Sequence, residues 1–158
     1  MNLFLDTSAL VKIYVREADS DAVRWWVEQA AVVSVCRIAW AECHAAFAAR
    51  NRLVPADEPM LAVGARAFAE DWPHLAKVEV NQDLVERAGQ LAGAFALRGY
   101  DSVQLAAADL LHRKGEMPVA FGCFDQRLTR AAGILGIPAP PPFQAAAREP
   151  VVRPPGSS

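Results

Sequence analysis

The sequence predicts an α/β fold in which a central, mainly parallel sheet of four to five strands is flanked by helices. Short apolar runs of strand length alternate along the chain with longer stretches of helical periodicity, a pattern typical of βαβ units. A chain of 158 residues, 53% of them hydrophobic, suits one compact domain with a substantial core. We therefore expect a single domain over residues 1–138.

The strands are predicted from four apolar runs that are too short for helices. Each run has four to six residues and is rich in Val, Leu or Phe; the runs are residues 2–5, 31–36, 75–80 and 119–124. Because helical segments separate successive runs, neighbouring strands should lie parallel.

The helices are predicted from apolar residues that recur with helical spacing. Seven segments have this spacing, namely residues 9–15, 21–30, 38–53, 60–72, 83–97, 101–115 and 125–135. The segment 38–53 is rich in alanine, and the last helix should stop near Gly136 and Pro138.

The C-terminal residues 139–158 differ in composition from the rest of the chain. Seven of the eleven prolines lie at or after Pro138. Proline lacks the backbone donor that helices and sheets need, so we expect at most a short strand here, followed by a mobile tail.

Composition narrows the class of protein. The formal net charge of −2 and the pI of about 5.9 argue against binding to nucleic acid by phosphate neutralisation alone. They leave open a nuclease in which a metal supplies the positive charge. Three cysteines without CxxC spacing indicate reduced thiols. Without a leader or a membrane-length apolar stretch, a cytoplasmic protein is expected.

Three aspartates lie where helices are predicted to begin. Asp6 and Asp125 each follow an apolar strand run, and Asp101 precedes Gln104 by three residues, as in a capping box. N-capping alone explains each of them taken singly. Together they carry more information, because the carboxyl ends of parallel strands form the ligand-binding crevice of open α/β sheets.

Glu42 is the one acid of interest that is not at a helix start. It lies in an almost wholly apolar helix, with no Lys or Arg three or four residues away. A desolvated glutamate without a partner tends to take up a proton, unless a cation neutralises it. Most other acids are expected on solvated faces, such as Asp83 in an i, i+4 pair with Arg87.

Converging carboxylates favour a hard divalent cation. Mg²⁺ or Mn²⁺ accepts oxygen ligands and offsets the repulsion between the acids, whereas the sequence offers no closed His and Cys set for zinc. Because the acids lie on different predicted elements, such a site would be assembled by the fold.

Four motifs resemble those of the PIN domain, specifically the VapC-like toxins of bacterial and archaeal toxin–antitoxin pairs. They are LDTSALVK, AEC, LRGYDSVQLAAA and FDQRL, and the resemblance spans residues 2–138. It implies a PIN-like parallel sheet with an acidic pocket that binds Mg²⁺ or Mn²⁺ for cleavage of RNA phosphodiester bonds. It also implies a protein antitoxin as partner and a homodimer.

The resemblance assigns roles to particular residues. The acids Asp6, Glu42 and Asp101 match the family's metal ligands, and Asp125 matches its fourth acid. The small hydroxyl that follows the first aspartate falls on Thr7 or Ser8, where it would orient Asp6 or bind a metal-bound water.

Two other functions remain open at this point. One is a housekeeping PIN-domain nuclease of RNA processing, and the other is a catalytically silent PIN-fold binding module. The paired Trp25 and Trp26 are compatible with core packing or with a partner surface.

Overall fold

Four strands form one wholly parallel sheet in the structure, a computed structural model that describes residues 1–143. The spatial order is β3-β2-β1-β4. The strands are β1 Asn2–Leu5, β2 Val32–Cys36, β3 Ala76–Val78 and β4 Val119–Gly122. The predicted parallel sheet is therefore confirmed. β3 is shorter than predicted because, as an edge strand, it pairs only with β2.

Seven α-helices connect and follow the strands in the described part of the chain, as the periodicity predicts. They are α1 Thr7–Tyr14, α2 Ser20–Gln29, α3 Ala39–Leu53, α4 Glu58–Asp71, α5 Gln82–Phe95, α6 Gly99–Lys114 and α7 Gln126–Ile134. Short 3₁₀ turns at Pro55–Asp57 and Trp72–His74 flank α4. None of the helices in residues 1–143 is both long and apolar enough to cross a membrane.

The sheet is covered on both faces because its strands alternate between two cores. Leu3 and Leu5 pack with α1 to α4, whereas Phe4 points to the opposite face and packs with α5 to α7. Phe4 stacks on Phe121 of β4, with ring centroids 5.8 Å apart. Burial on both faces explains why the strands are continuous apolar runs.

The strand order places a topological switch point between β1 and β4. The chain moves outward from β1 to β3 and then returns to the other side of β1. Helices therefore leave the ends of β1 and β4 toward opposite faces of the sheet. A crevice opens at such a point, beyond the carboxyl ends of the strands.

Close backbone contact holds the switch point together. The Asp6 N–H donates to the Gly122 carbonyl at 3.0 Å, which continues the β1 and β4 pairing by one residue. A Cβ atom on Gly122 would lie 2.7 Å from Leu5 Cδ2, so a larger residue there would displace the buried Leu5 side chain. The position of Asp6 is thus fixed by the sheet itself.

Residues that follow α7 pack back onto the domain. Ile137 is buried, and the Phe121 N–H of β4 donates to the Pro138 carbonyl at 2.8 Å. Trp26, also buried, donates from Nε1 to the Pro141 carbonyl at 2.9 Å. No strand forms in 139–143, and the rest of the predicted mobile tail, residues 144–158, lies outside the described residues.

The two tryptophans of α2 have different environments. Trp26 is a core residue that stacks on Phe124, with centroids 5.6 Å apart. Trp25 is half-buried, and its ring lies 5.9 Å from that of Phe143. Core packing therefore explains Trp26 fully and Trp25 in part.

The expected pair between Asp83 and Arg87 is wrong. Arg87 Nε instead donates to Oδ2 of Asp109 on α6 at 2.8 Å, and Arg113 Nε lies 3.0 Å from the same oxygen. Asp109 is buried, so the charge of Arg87 is worth more there than beside an exposed aspartate.

Candidate active site

Asp6 lies at the switch point, directly after β1. Its Oδ2 accepts a hydrogen bond from the Ser8 N–H at 3.1 Å, so the predicted N-cap of α1 is confirmed. The residue is only 6% exposed, and the Cys123 thiol lies 3.5 Å from Oδ2. Within residues 1–143 no donor reaches Oδ1, which leaves one carboxylate oxygen for other chemistry.

Glu42 lies in the first turn of α3, and its side chain meets the residue that follows Asp6, Thr7. Its Oε2 accepts from Thr7 Oγ1 at 2.8 Å and also from Gln104 Nε2. As expected, no Lys or Arg pairs with Glu42 in the described residues, but two neutral donors that the sequence did not reveal hold its Oε2. The partners lie far away in sequence, on α1 and α6.

The electrostatics of Glu42 agree with the sequence prediction. Burial raises the pKa of its carboxyl above the ordinary value, and the charges of Asp6 and Asp101 raise it further. The hydrogen bonds from Thr7 and Gln104 act in the opposite direction but do not outweigh burial.

Asp101 does not cap α6. The helix begins at Gly99 with Arg98 at the N-cap position, so Asp101 lies within the first turn and the predicted capping box is wrong. Its side chain is 30% exposed, and Arg98 Nε lies 3.5 Å from Oδ2. Burial raises the pKa of Asp101, and the charges of Asp6 and Asp125 add to the rise while Arg98 opposes it.

Gln104 is a site residue that the sequence analysis missed. It is fully buried, and its amide donates to Thr7 Oγ1 at 3.1 Å as well as to Glu42. Its Oε1 is buried and has no hydrogen-bond partner in the described residues. The spacing from Asp101 suggested a cap; the available signal was a glutamine inside an otherwise apolar helical face.

Asp125 follows β4 and caps α7 as predicted, since its Oδ1 accepts from the Leu128 N–H at 3.0 Å. It lines a hollow of about 450 Å³ together with Asp101. Three arginines and a glutamine form the remaining wall, namely Arg98, Arg127, Arg130 and Gln126. We call this the arginine hollow.

A second hollow, of about 500 Å³, is lined by none of the residues of the arginine hollow. Glu42 and Thr7 form its polar wall, and the rest is lined by Ile38, Ala41, Ala45 and Tyr100. We call this the aromatic hollow. Asp6 is not among the residues that line either hollow, although its charge raises the pKa of both Glu42 and Asp101.

The two hydroxyl residues after Asp6 have different positions. The Thr7 hydroxyl binds Glu42. Ser8 Oγ accepts from the Phe124 N–H at 3.1 Å and lies 3.7 Å from Cys123 Sγ, so it ties α1 to the segment after β4. The backbone N–H of Ser8, rather than its hydroxyl, orients Asp6.

The donor set fits a hard divalent cation. All four acids offer carboxylate oxygens. Within the described residues only Asp101 of these four forms an ion pair, with the largely exposed Arg98 at 3.5 Å. No three His, Cys, Asp or Glu side chains in residues 1–143 converge closely enough to enclose an ion by themselves. Mg²⁺ typically keeps several waters and binds one or two carboxylates directly, so it suits this open arrangement.

The wholly parallel sheet, with Asp6 directly after β1 and Asp125 just after β4, agrees with the class of protein that the sequence model identifies. The sequence model of the PIN domain family matches residues 3–134, and the chain belongs to that family.

Three relatives from Mycobacterium tuberculosis are similar along most of the chain. Ribonuclease VapC45 of strain CDC 1551 / Oshkosh and Ribonuclease VapC49 of strain H37Rv are each 34% identical over 136 residues, which is 85% of this chain and 91% of theirs. Ribonuclease VapC46 of strain H37Rv is 33% identical over 135 residues, 85% of this chain and 93% of its own.

The fold also matches a solved structure. The crystal structure of Mycobacterium tuberculosis VapC20, described as a Sarcin-Ricin loop cleaving toxin, superposes with a TM-score of 0.58. The match covers 82% of this chain and 94% of that one, at 19% identity. It supports the PIN-like fold.

Proposed function

We propose that the protein is a divalent-metal-dependent endoribonuclease, the toxin of a VapBC-type toxin–antitoxin pair, which hydrolyses RNA phosphodiester bonds. One observation carries the proposal: Asp6 and Glu42, whose charges interact, are held by neutral hydrogen-bond donors, form no ion pair within residues 1–143, and each keep one carboxylate oxygen that no donor reaches. Such a cluster requires positive charge, and a metal with a phosphodiester substrate provides it. The names of the relatives support the choice of RNA.

Asp6, Glu42, Asp101 and Asp125 would hold the cation, which we expect to be Mg²⁺ or Mn²⁺. Because no three of these acids converge on one point in residues 1–143, one or two of them would bind it directly and the others through its bound waters. When bound, the metal neutralises phosphate charge and makes a bound water more acidic. The orphan Oε1 of Gln104, buried beside Glu42, is a further oxygen that lacks a partner in the described residues.

The chain's own residues orient the carboxylates. Thr7 and Gln104 both bind Oε2 of Glu42, and in residues 1–143 this leaves Oε1 without a donor. The Ser8 N–H engages only Oδ2 of Asp6. Glu42 and Asp6 thus each have one oxygen fixed by a neutral donor and one oxygen available. This arrangement preorganises the two carboxylates for ligand binding.

The arginine hollow supplies the positive charge that the protein as a whole lacks. Arg127 and Arg130 form no ion pair in the described residues, and Arg98 is 83% exposed. Guanidinium groups bind phosphate in a forked geometry, so these side chains are suited to RNA backbone phosphates beside Asp101.

The proposed biological setting follows the relatives. We expect a cognate protein antitoxin, a homodimer, and action on RNA in the cytoplasm. The nuclease domain would span residues 1–138, with 139–158 as an appended segment. Ser8 would contribute by holding the segment after β4 against α1.

The test is cleavage of purified structured RNA with Mn²⁺ or Mg²⁺ and then with EDTA. Metal-dependent cleavage that EDTA abolishes is the expected result, and Mn²⁺ titration by calorimetry should show binding in the absence of RNA. A protein that neither binds Mn²⁺ nor cleaves RNA would contradict the proposal and favour a silent binding module.

A further inference from the structure

Tyr100 has no evident role in holding the fold together. It is 70% exposed, belongs to neither hydrophobic core, and its hydroxyl forms no hydrogen bond within residues 1–143. A tyrosine usually buries much of its large apolar ring. An aromatic ring exposed to this degree beside an acidic centre is therefore available to a ligand.

The aromatic hollow around Tyr100 has apolar walls next to the acids. Its other lining groups include Ile38, Ala41 and Ala45, which carry no hydrogen-bonding side chains. A ligand group seated there would be planar or apolar and would lie against Glu42 and Thr7. It would thus touch the same carboxylate that the proposed metal uses.

Two consecutive residues of α6 line different hollows. Tyr100 lines the aromatic hollow, whereas Asp101 lines the arginine hollow. Neighbouring side chains on a helix point about 100° apart, so one turn of α6 presents a ring to one side and a carboxylate to the other. A single ligand that spans this turn of α6 can therefore contact the aromatic ring of Tyr100 and the arginines beside Asp101.

A single nucleic acid strand has this combination of groups. Its phosphates match guanidinium groups, and its bases stack on aromatic side chains whatever their sequence. A segment of partner protein would need its own anionic groups to match Arg98, Arg127 and Arg130, whereas every nucleotide carries one beside its base.

We propose that the aromatic hollow is a nucleobase subsite in which a base next to the scissile phosphate stacks on Tyr100. The proposal rests on the ribonuclease function argued above and adds a specificity-determining residue to it. The RNA backbone would run over the arginine hollow, and the base would lie between Tyr100 and the Ala41 face of α3.

The experiment measures binding separately from cleavage. The full chain with Asp6→Asn is titrated, by fluorescence anisotropy, with a labelled single-stranded RNA and with an abasic oligonucleotide of the same length. Adding Tyr100→Ala should weaken RNA binding roughly tenfold and leave abasic binding nearly unchanged. Tyr100→Phe should bind like tyrosine, and Val63→Ala, which shortens an exposed side chain on α4, should change neither affinity.

Several outcomes would overturn the subsite. They are an RNA affinity that Tyr100→Ala leaves unchanged, an equal loss for both oligonucleotides, or a Tyr100→Phe variant that is as weak as alanine. The wild-type chain assayed in parallel separates the two proposals. Metal-dependent cleavage with a KM unaffected by Tyr100→Ala refutes only the subsite, whereas absence of cleavage refutes the ribonuclease.

Discussion

Helix α6 carries two aspartates whose surroundings are opposite. Asp109 has a side chain that is 3% exposed, and two arginines contact its Oδ2 at 2.8 and 3.0 Å. Asp101, about two turns earlier, is 30% exposed and lies among other acids, with Arg98 at 3.5 Å. The same residue type on the same helix has two close arginines and little exposure at one end, and at the other has one more distant arginine, two interacting acids and 30% of its side chain exposed.

The difference separates a structural acid from a chemical one. A buried carboxylate that the protein neutralises with its own arginines has no need of a ligand. The acids at the switch point have neutral donors, such as Thr7 and Gln104, and like charges that raise the pKa of Glu42 and Asp101. Burial alone therefore does not distinguish the acids proposed to bind metal from Asp109; the distinction is that Asp6 and Glu42 form no ion pair within residues 1–143.

The largest expected effect is loss of cleavage in Asp6→Asn. Asparagine keeps the acceptor that caps α1 but removes the charge, so cleavage should fall about a thousandfold, or about 4 kcal/mol in the barrier, with little change in thermal midpoint. Cleavage of RNA with Mn²⁺ measures it, and Asp83→Asn, an exposed acid on α5, is the matched control. Unchanged cleavage in Asp6→Asn, or an equal loss in both variants, would contradict the role proposed for Asp6.

Asp109→Ala should destabilise the fold without a direct effect on the site. Two arginines would lose their buried partner, and because both reach water we expect a loss of about 2–4 kcal/mol in the free energy of unfolding. Urea unfolding at constant m-value measures the loss. The folded fraction should keep its kcat/KM. An Asp109→Ala variant of normal stability that fails to cleave RNA would instead place Asp109, and not only Asp101, in the catalytic machinery.

An arginine of the arginine hollow should contribute more to RNA binding than an exposed arginine elsewhere on the surface. Arg130→Ala should weaken RNA binding several-fold and reduce the slope of log affinity against log salt by about 0.7, because one phosphate contact is lost. Arg66→Ala, which removes an exposed charge on α4, should leave that slope unchanged. If the two variants behave alike, the arginine hollow has no special role in RNA binding.

The smallest effect is expected for Glu42→Gln measured in EDTA. Since the folded-state pKa of Glu42 is raised, ionisation destabilises the fold as the pH rises through that pKa. Glutamine does not ionise, so the variant should have the higher urea midpoint near pH 7.5, by less than the change in Asp109→Ala. The gain in urea midpoint should vanish below about pH 4, where Glu42 is protonated in both the folded and the unfolded state. A variant that is less stable than the wild type at both pH 7.5 and pH 4 would contradict the view that the ionised Glu42 carboxylate destabilises the fold.

Sequence patterns predicted the elements of the fold well. Alternation of apolar runs and helical periodicity located four strands and seven helices in the described residues, because both signals are local. Local chemistry also identified Asp6 and Asp125 as N-caps. The capping box at Asp101 was wrong because α6 begins at Gly99, so that Asp101 lies inside the first turn and Gln104 binds Thr7 and Glu42 instead of reaching back to the helix start.

What the sequence determined by itself was a parallel α/β domain with acids at the ends of its strands and an isolated glutamate on α3. Only the tertiary structure decided which groups meet. Thr7 and Gln104 reach Glu42 across 35 and 62 residues of chain, and Arg87 joins Asp109 rather than its helical neighbour. The physical reason is that helix and strand periodicity are set by neighbours in sequence, whereas the charge balance of a site is set by neighbours in space.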